Sequence, residues 1–227
     1  MCFNVVILNL KGRNDYRELI KTLYDEFNSN KDGIFLYNSL TGDIIREVGT
    51  DKEYRWIIDN FNFSTDVNSL IHMHLRLATR GKVNKYNIHG WSYTWNNETF
   101  LCSHNGSYHN YLGDNSDSKE FFDRLFVMLN EGMNIEDLIK DFYGVAFCTS
   151  TDKILAISYD KSIKLAYLGD SIVLSNESLY EDLSYNAGGY ELKVDSPEIY
   201  NKMILIDIRK KQVKELYKFT YTGSWLK

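Results

Sequence analysis

The feature that most restricts the possible folds is a series of short strand-like segments in the C-terminal part of the chain, with no helical pattern between them. These segments are 145–149, 154–159, 164–168, 172–174, 203–207 and 213–216. Turn residues such as Asp160-Lys161 and Gly169-Asp170 separate them. Because strands joined by tight turns pair as antiparallel neighbours, the pattern predicts antiparallel sheets.

The N-terminal part also contains strands, and the predicted helices are grouped between the two strand-rich parts. A strand is expected directly after Cys2 and a hairpin over 33–48, while a capping box at Thr50 and Glu53 predicts a helix. Other amphipathic helices are predicted at 16–27, after a cap at Ser116, Asp117 or Ser118 as far as Gly132, and after Asn134. This order does not indicate parallel βαβ winding. It predicts an α+β fold in which helices pack outside two mainly antiparallel sheets.

Composition and charge limit the class of protein. With 227 residues, of which 44% are hydrophobic, the chain can bury a large core, and we expect a single domain over 1–227. A net charge of -5 without a basic run predicts no nucleic-acid partner. The apolar stretch 5–10 is too short to span a bilayer, so no membrane association is expected. Three cysteines without a CxxC pair suit a reducing compartment, and we expect a cytoplasmic protein.

The second residue, Cys2, is the first candidate for a catalytic residue. It follows Met1 directly and precedes a buried-strand pattern. Removal of Met1 would leave a cysteine that carries a thiol and a free α-amine, which together provide a nucleophile and a base. If Met1 is retained, the amine is part of a peptide bond and this pairing is lost.

Polar residues then occur at two predicted strands. Period two over 69–78 places His72, His74 and Arg76 on one face. A short strand at 99–103 is expected to present His104-Asn105-Gly106-Ser107 at its end. The segment 81–97 between them lacks periodicity and is predicted to be a loop.

Metal and cofactor chemistry is not expected from these residues. His72 and His74 share a strand face, but no third ligand follows in a recognisable spacing, so we predict no metal site. No cofactor-binding motif is identified either. Cys102 and Cys148 lie in apolar strands and are predicted to belong to the core.

Four elements, taken in order, resemble the glutaminase domain of the class II glutamine amidotransferases, which are N-terminal-nucleophile (Ntn) hydrolases. They are Cys2 after Met1, Arg76-Leu77-Ala78-Thr79-Arg80-Gly81, His104-Asn105-Gly106 and Ser116-Asp117-Ser118. The segments 158–160, 165–167 and 173–177 are similar to later strands of the same family. The resemblance covers most of the chain and implies a four-layer αββα sandwich.

The resemblance also implies an activity and roles for these residues. Cys2 would attack the side-chain amide of glutamine, release ammonia and form a thioester that water converts to glutamate, with its own α-amine as base. Asn105 and Gly106 would form the oxyanion hole. Arg76 and Asp117 would bind the α-carboxylate and α-ammonium groups of the substrate. Thr79 and the loop around Gly90-Trp91 would close over it.

Two positions depart from the family pattern, and three functions remain open. Arg80 stands where the family often has histidine, and Phe3 where a small residue or arginine is frequent. The leading hypothesis is a glutaminase that supplies ammonia to a separate synthetase subunit, because no acceptor domain is expected after Trp225. The alternatives are an amidase acting on a γ-glutamyl or related amide, and an inactive binding module that retains Met1.

Overall fold

The computed structural model describes residues 2–27, 29, 31–79, 81–109, 116–179 and 192–220, with the backbone alone for 192–198. Met1, Arg80 and Trp225, which entered the sequence predictions, lie outside the described residues.

Two large sheets and a small one form the framework of this part of the chain. The seven-stranded sheet has the spatial order β13 (Leu192–Ile199), β11 (Ile163–Leu168), β12 (Ser171–Ser175), β1 (Phe3–Asn9), β6 (Leu70–Leu75), β3 (Ile34–Asn38) and β4 (Ile44–Glu47). The six-stranded sheet has the order β15 (Gln212–Lys218), β14 (Lys202–Asp207), β10 (Lys153–Tyr159), β9 (Phe142–Thr149), β8 (Glu98–Tyr108) and β7 (Trp91–Trp95). The pair β2 (Asn14–Asp15) and β5 (Ser64–Thr65) is separate. Neighbouring strands in these sheets run antiparallel, as predicted.

Helices cover the outer face of each large sheet. They are α1 (Arg17–Phe27), α2 (Asp51–Asn60), α3 (Asp117–Glu131) and α4 (Glu136–Lys140), and a 3₁₀ turn spans Lys85–Asn87. The predicted capping box holds the start of α2, where the Thr50 side chain and the Glu53 side chain each accept from the other's backbone N–H.

The burial pattern of β1 shows how the layers are stacked. Phe3, Val5 and Ile7 pack with apolar residues of α1 and α2. Val6 and Leu8 point the other way and pack with residues of β8 and β9 in the second sheet. A third cluster joins the far side of that sheet to α3 and α4. Since successive side chains of a strand alternate between faces, the order is helices, sheet, sheet, helices, and the predicted αββα sandwich is confirmed.

The hairpin of β7 and β8 differs from the prediction. The segment 81–97 was expected to be a loop, but β7 occupies part of it, and β8 continues through His104-Asn105-Gly106-Ser107 instead of ending before them. Asn96 and Asn97 both have positive φ angles, 50° and 61°, which is the conformation of a tight type I′ hairpin turn. Pairing with β9 as far as Tyr108 explains the length of β8.

The two other cysteines agree with the sequence prediction. Cys102 and Cys148 are buried opposite each other on β8 and β9, so both belong to the core. Among the described residues, no helix is long and apolar enough to cross a membrane.

Candidate active site

Cys2 lies at the start of β1, a central strand of the first sheet. Its Sγ accepts a hydrogen bond from the Leu77 N–H at 3.3 Å and lies 3.5 Å from the Leu77 carbonyl oxygen. Because β1 pairs with β6 at Phe3 and Leu75, the next residue on each strand sets Cys2 beside Arg76. Burial raises the pKa of the Cys2 thiol, and the Leu77 N–H opposes that effect.

A buried side chain from the end of β12 fixes the position of Cys2. Asn176 Nδ2 donates to the Cys2 carbonyl oxygen at 3.2 Å. The Asn4 N–H donates to Asn176 Oδ1 at 2.5 Å, and the Asn176 N–H donates to the Asn4 carbonyl oxygen at 3.2 Å. Asn176 lies in the segment 173–177, which is similar to the family, but no motif predicts a role for it. Three bonds across the chain make it the residue that holds the start of β1.

Arg76 is a buried cation next to Cys2. Its guanidinium Nη1 lies 3.5 Å from the Lys82 carbonyl oxygen, and its backbone N–H donates to the Gly33 carbonyl oxygen at 2.8 Å. Burial lowers the pKa of Arg76, and the nearby groups Cys2, Asp32 and Asp117 act against that effect. The positive charge of Arg76 in turn favours the Cys2 thiolate.

Asp117 is the first residue of α3 and is also buried. Its Oδ2 accepts from the Tyr108 N–H and its Oδ1 from the Ser118 N–H, each at 2.9 Å. The carboxylate therefore joins the end of β8 to the start of α3, where a helix N-terminus favours negative charge. Its charge acts on the Cys2 thiol in the direction opposite to that of Arg76.

Asn105 and Gly106 lie on β8, in the sheet that faces Cys2. The Ser103 hydroxyl donates to Asn4 Oδ1 at 2.8 Å, which joins β8 to β1 between the sheets. Alternation along the two strands therefore puts Asn105 and Cys2 on the facing sides as well. Asn105 Nδ2 is buried and has no hydrogen-bond partner among the described residues.

Position 106 requires a glycine for two reasons, which are its backbone conformation and the closeness of the neighbouring strand. Its φ is 153°, and an added Cβ would lie 1.8 Å from the Tyr143 carbonyl oxygen. Gly144 is paired with it on β9, and a Cβ there would lie 2.1 Å from the Asn105 carbonyl oxygen. The two strands can approach this closely only because both residues lack a side chain. Gly106 belongs to a predicted motif, whereas the role of Gly144 was not predicted from the sequence.

Buried histidines surround these residues. His72 Nε2 contacts Ser103 Oγ at 2.6 Å, and burial lowers the pKa of His72 to about 3. His104 contacts Ser118 Oγ through Nδ1 at 2.9 Å, and burial lowers its pKa to about 4. No group of three histidine, cysteine, aspartate or glutamate side chains in the described ranges could hold a metal ion.

Thr79 and Trp91 were both expected to close over the substrate, but Thr79 is exposed and Trp91 is buried. Thr79 lies on the exposed segment that follows Leu77. Trp91 is buried at the start of β7, and its indole Nε1–H donates to the Tyr86 carbonyl oxygen at 2.9 Å. Since strand pairing and burial fix Trp91, the prediction of a loop at Trp91 is wrong, while its contact with a substrate stays a prediction.

Two solved structures share this fold. The chain is similar to glutamine phosphoribosylpyrophosphate amidotransferase from B. subtilis, with a TM-score of 0.64 and 14% identity over 96% of this chain and 49% of that one. A structure described as the allosteric regulatory enzyme of purine biosynthesis gives a TM-score of 0.57 and 14% identity over 97% and 49%. This chain thus spans about half the length of both. No protein-family model and no curated protein matches the sequence.

The fold that the motif resemblance implies is therefore confirmed, because the chain shares it with glutamine phosphoribosylpyrophosphate amidotransferase.

Proposed function

We propose that this chain hydrolyses the side-chain amide of glutamine, with Cys2 as nucleophile. The observation that carries the proposal is the buried Asn105 Nδ2, which has no acceptor among the described residues and lies on the side of β8 that faces the other sheet. A buried donor without a partner is costly, by about 1–3 kcal/mol, so a donor on the same side of the sheets as the Cys2 thiol favours a ligand oxygen as its acceptor.

The proposed reaction starts after removal of Met1, with the free α-amine of Cys2 as the base. Burial favours the protonated thiol, so a base is needed to form the nucleophile. The α-amine takes the thiol proton while Sγ forms a bond to the amide carbon of glutamine. Asn105 Nδ2–H and the Gly106 N–H donate to the oxyanion of the tetrahedral intermediate. The C–N bond then breaks, and the nitrogen takes the proton from the α-ammonium group and leaves as ammonia.

Hydrolysis of the thioester completes the cycle. The α-amine accepts a proton from water, whose oxygen attacks the thioester carbon. The C–S bond breaks, the sulfur regains the proton and glutamate departs. The same oxyanion donors serve both halves because both intermediates carry the charge on the same oxygen.

Recognition of the amino acid end of glutamine is assigned to two buried charges. The planar guanidinium of Arg76 suits the α-carboxylate, and the Asp117 carboxylate suits the α-ammonium group. Each oxygen of Asp117 accepts one backbone N–H and retains a second lone pair for the ligand. Thr79 remains an additional proposed contact from the exposed segment.

A separate synthetase subunit is the proposed acceptor of the ammonia. This part of the proposal rests on the family resemblance alone. Addition of the correct subunit should raise the rate of glutamine hydrolysis.

The direct test is the release of glutamate and ammonia from glutamine in equal amounts. We expect the activity in the wild-type chain and in Cys102→Ala, a matched loss of a core thiol, and none in Cys2→Ala. Activity that survives in Cys2→Ala would exclude the proposed nucleophile. Hydrolysis of γ-glutamyl amides without hydrolysis of free glutamine would favour the alternative amidase function.

A further inference from the structure

The edge of β8 loses its strand neighbour just before Asn105. The last pair of the β7–β8 ladder joins Trp91 to Cys102, and the Gly90 N–H donates to the Cys102 carbonyl oxygen at 2.8 Å. On the other side of β8, pairing with β9 continues through His104, Asn105 and Gly106. The backbone of His104 therefore lies beyond the end of β7 and needs other partners on that side.

Two imidazoles supply those partners. The His104 N–H donates to His89 Nδ1 at 3.0 Å. His74 Nε2 lies 3.2 Å from the His104 carbonyl oxygen and donates to it. One side chain thus provides the acceptor and another the donor that a neighbouring strand would have provided.

The two rings hold each other in place. His74 and His89 are stacked, with ring centroids 3.9 Å apart and planes inclined by 16°, and both are buried. Their hydrogen-bond roles require the proton on Nε2 in both rings. His74 Nδ1 then has a lone pair but no partner among the described residues. A purely apolar packing role would be filled at lower cost by a side chain without polar atoms.

We infer that the stacked pair of His74 and His89 is a positioning device that replaces the missing strand and fixes the backbone orientation of Asn105 and Gly106. Its effect on catalysis rests on the proposed function, since these two residues are the proposed oxyanion donors. Neither imidazole touches the substrate in this scheme. The pair acts through the peptide groups of His104.

Crossed amide substitutions separate this role from simple packing. An asparagine at position 89 places its Oδ1 near the position of the imidazole Nδ1, and a glutamine at position 74 places its amide nitrogen near the position of Nε2. We expect His89→Asn and His74→Gln to keep kcat within about threefold of wild type. We expect His89→Gln and His74→Asn to lower kcat about tenfold to a hundredfold without a change in KM, because a small displacement of the donors slows the reaction. Equal effects of the two amides at each position would overturn the inference.

A second measurement is independent of activity. In uniformly 15N-labelled, deuterated protein, we expect a scalar coupling across the hydrogen bond between the His104 amide nitrogen and His89 Nδ1. Absence of this scalar coupling would overturn the inferred role of the His74–His89 pair, even if the enzyme is active. If the wild-type chain does not hydrolyse glutamine but shows the coupling, the proposed function fails while the structural role of the pair stands.

Discussion

At the scale of single residues, Asn105 and Asp117 differ in how their polar atoms are satisfied. Asn105 Nδ2 is buried without a hydrogen-bond partner in the part of the chain that the structure describes, whereas both oxygens of Asp117 accept a backbone N–H. Removing the Asn105 side-chain amide therefore breaks no donated hydrogen bond, while removing the Asp117 carboxylate loosens the junction of β8 and α3. Substitutions must respect this difference.

Asn105→Ala should lower kcat by about 10² to 10³ with little change in KM, because it removes a donor used in the transition state.

Asp117→Asn, which keeps one oxygen acceptor, should raise KM about tenfold or more through loss of the charge that binds the α-ammonium group. Steady-state kinetics with glutamine measure both effects. The reverse pattern would show that the binding and oxyanion roles are exchanged.

Residues that belong to short sequence motifs could be identified from the sequence. Residues that act through contacts with distant parts of the chain could not. Short motifs identified Arg76, Asn105 and Asp117 as candidate site residues, and all three are buried. Asn176 and His89 contribute through bonds to residues far away in the chain, at Cys2 and His104. No local pattern distinguishes such residues from ordinary polar residues at the ends of strands.

At the scale of elements, the close approach of β8 and β9 controls the geometry of the proposed oxyanion hole. Gly106 and Gly144 face each other there, and a methyl group on either would overlap a carbonyl oxygen of the other strand. The backbone angle of Gly106 by itself would require only the conformational freedom of glycine. The structure requires the absence of a side chain as well.

Gly106→Ala should destabilise the fold by about 3 kcal/mol or more, because the new Cβ meets backbone atoms that cannot move independently. Gly132→Ala is the matched control. Gly132 also has a positive φ, 67°, but nothing lies within 4 Å of its added Cβ, so its cost should be about 1 kcal/mol. Urea unfolding of the two variants gives the comparison, and equal costs would contradict the steric argument.

The hairpin of β7 and β8 shows why one element was missed. Its turn consists of Asn96-Asn97, which accepts positive φ angles less commonly than the Asn-Gly pair that signals such hairpins. The strand β7 is short and begins after a glycine with φ of 91°, so its alternation spans only a few residues. Pairing with the longer β8 stabilises it, and that pairing is not visible in the local sequence.

At the scale of the whole molecule, the space between the two sheets contains both apolar and polar parts. Val6, Phe35 and Phe147 belong to an apolar cluster there. The polar part includes His72, whose ring bonds to Ser103 of the opposite sheet. The order of strands and helices allowed the prediction of a layered antiparallel fold, since short turns leave few alternatives. The order of strands within each sheet depends on long-range pairing and was not predicted.

The buried histidines should make the protein sensitive to mild acid. Burial lowers the pKa values of His72, to about 3, and His104, to about 4, and those of His74 and His89 well below their usual range. As the pH falls below about 6.5, the unfolded chain binds protons that the folded chain excludes, so stability is lost. Each such group contributes up to about 1.4 kcal/mol per pH unit.

We therefore expect the free energy of unfolding in urea to fall by at least about 2 kcal/mol between pH 7 and pH 5, a range above the usual titration of carboxylates. His72→Asn should reduce the slope of stability against pH. Constant stability over this range would mean that the histidines are accessible to protons in the folded state.

The central claim, that Cys2 with a free α-amine is the nucleophile for glutamine, is tested most directly by intact-mass measurement after incubation with an electrophilic glutamine analogue. The account predicts a chain that has lost Met1 and gained one adduct, and no adduct in Cys2→Ala. An adduct on Cys102 or Cys148, or no adduct on a chain from which Met1 is absent, would contradict it.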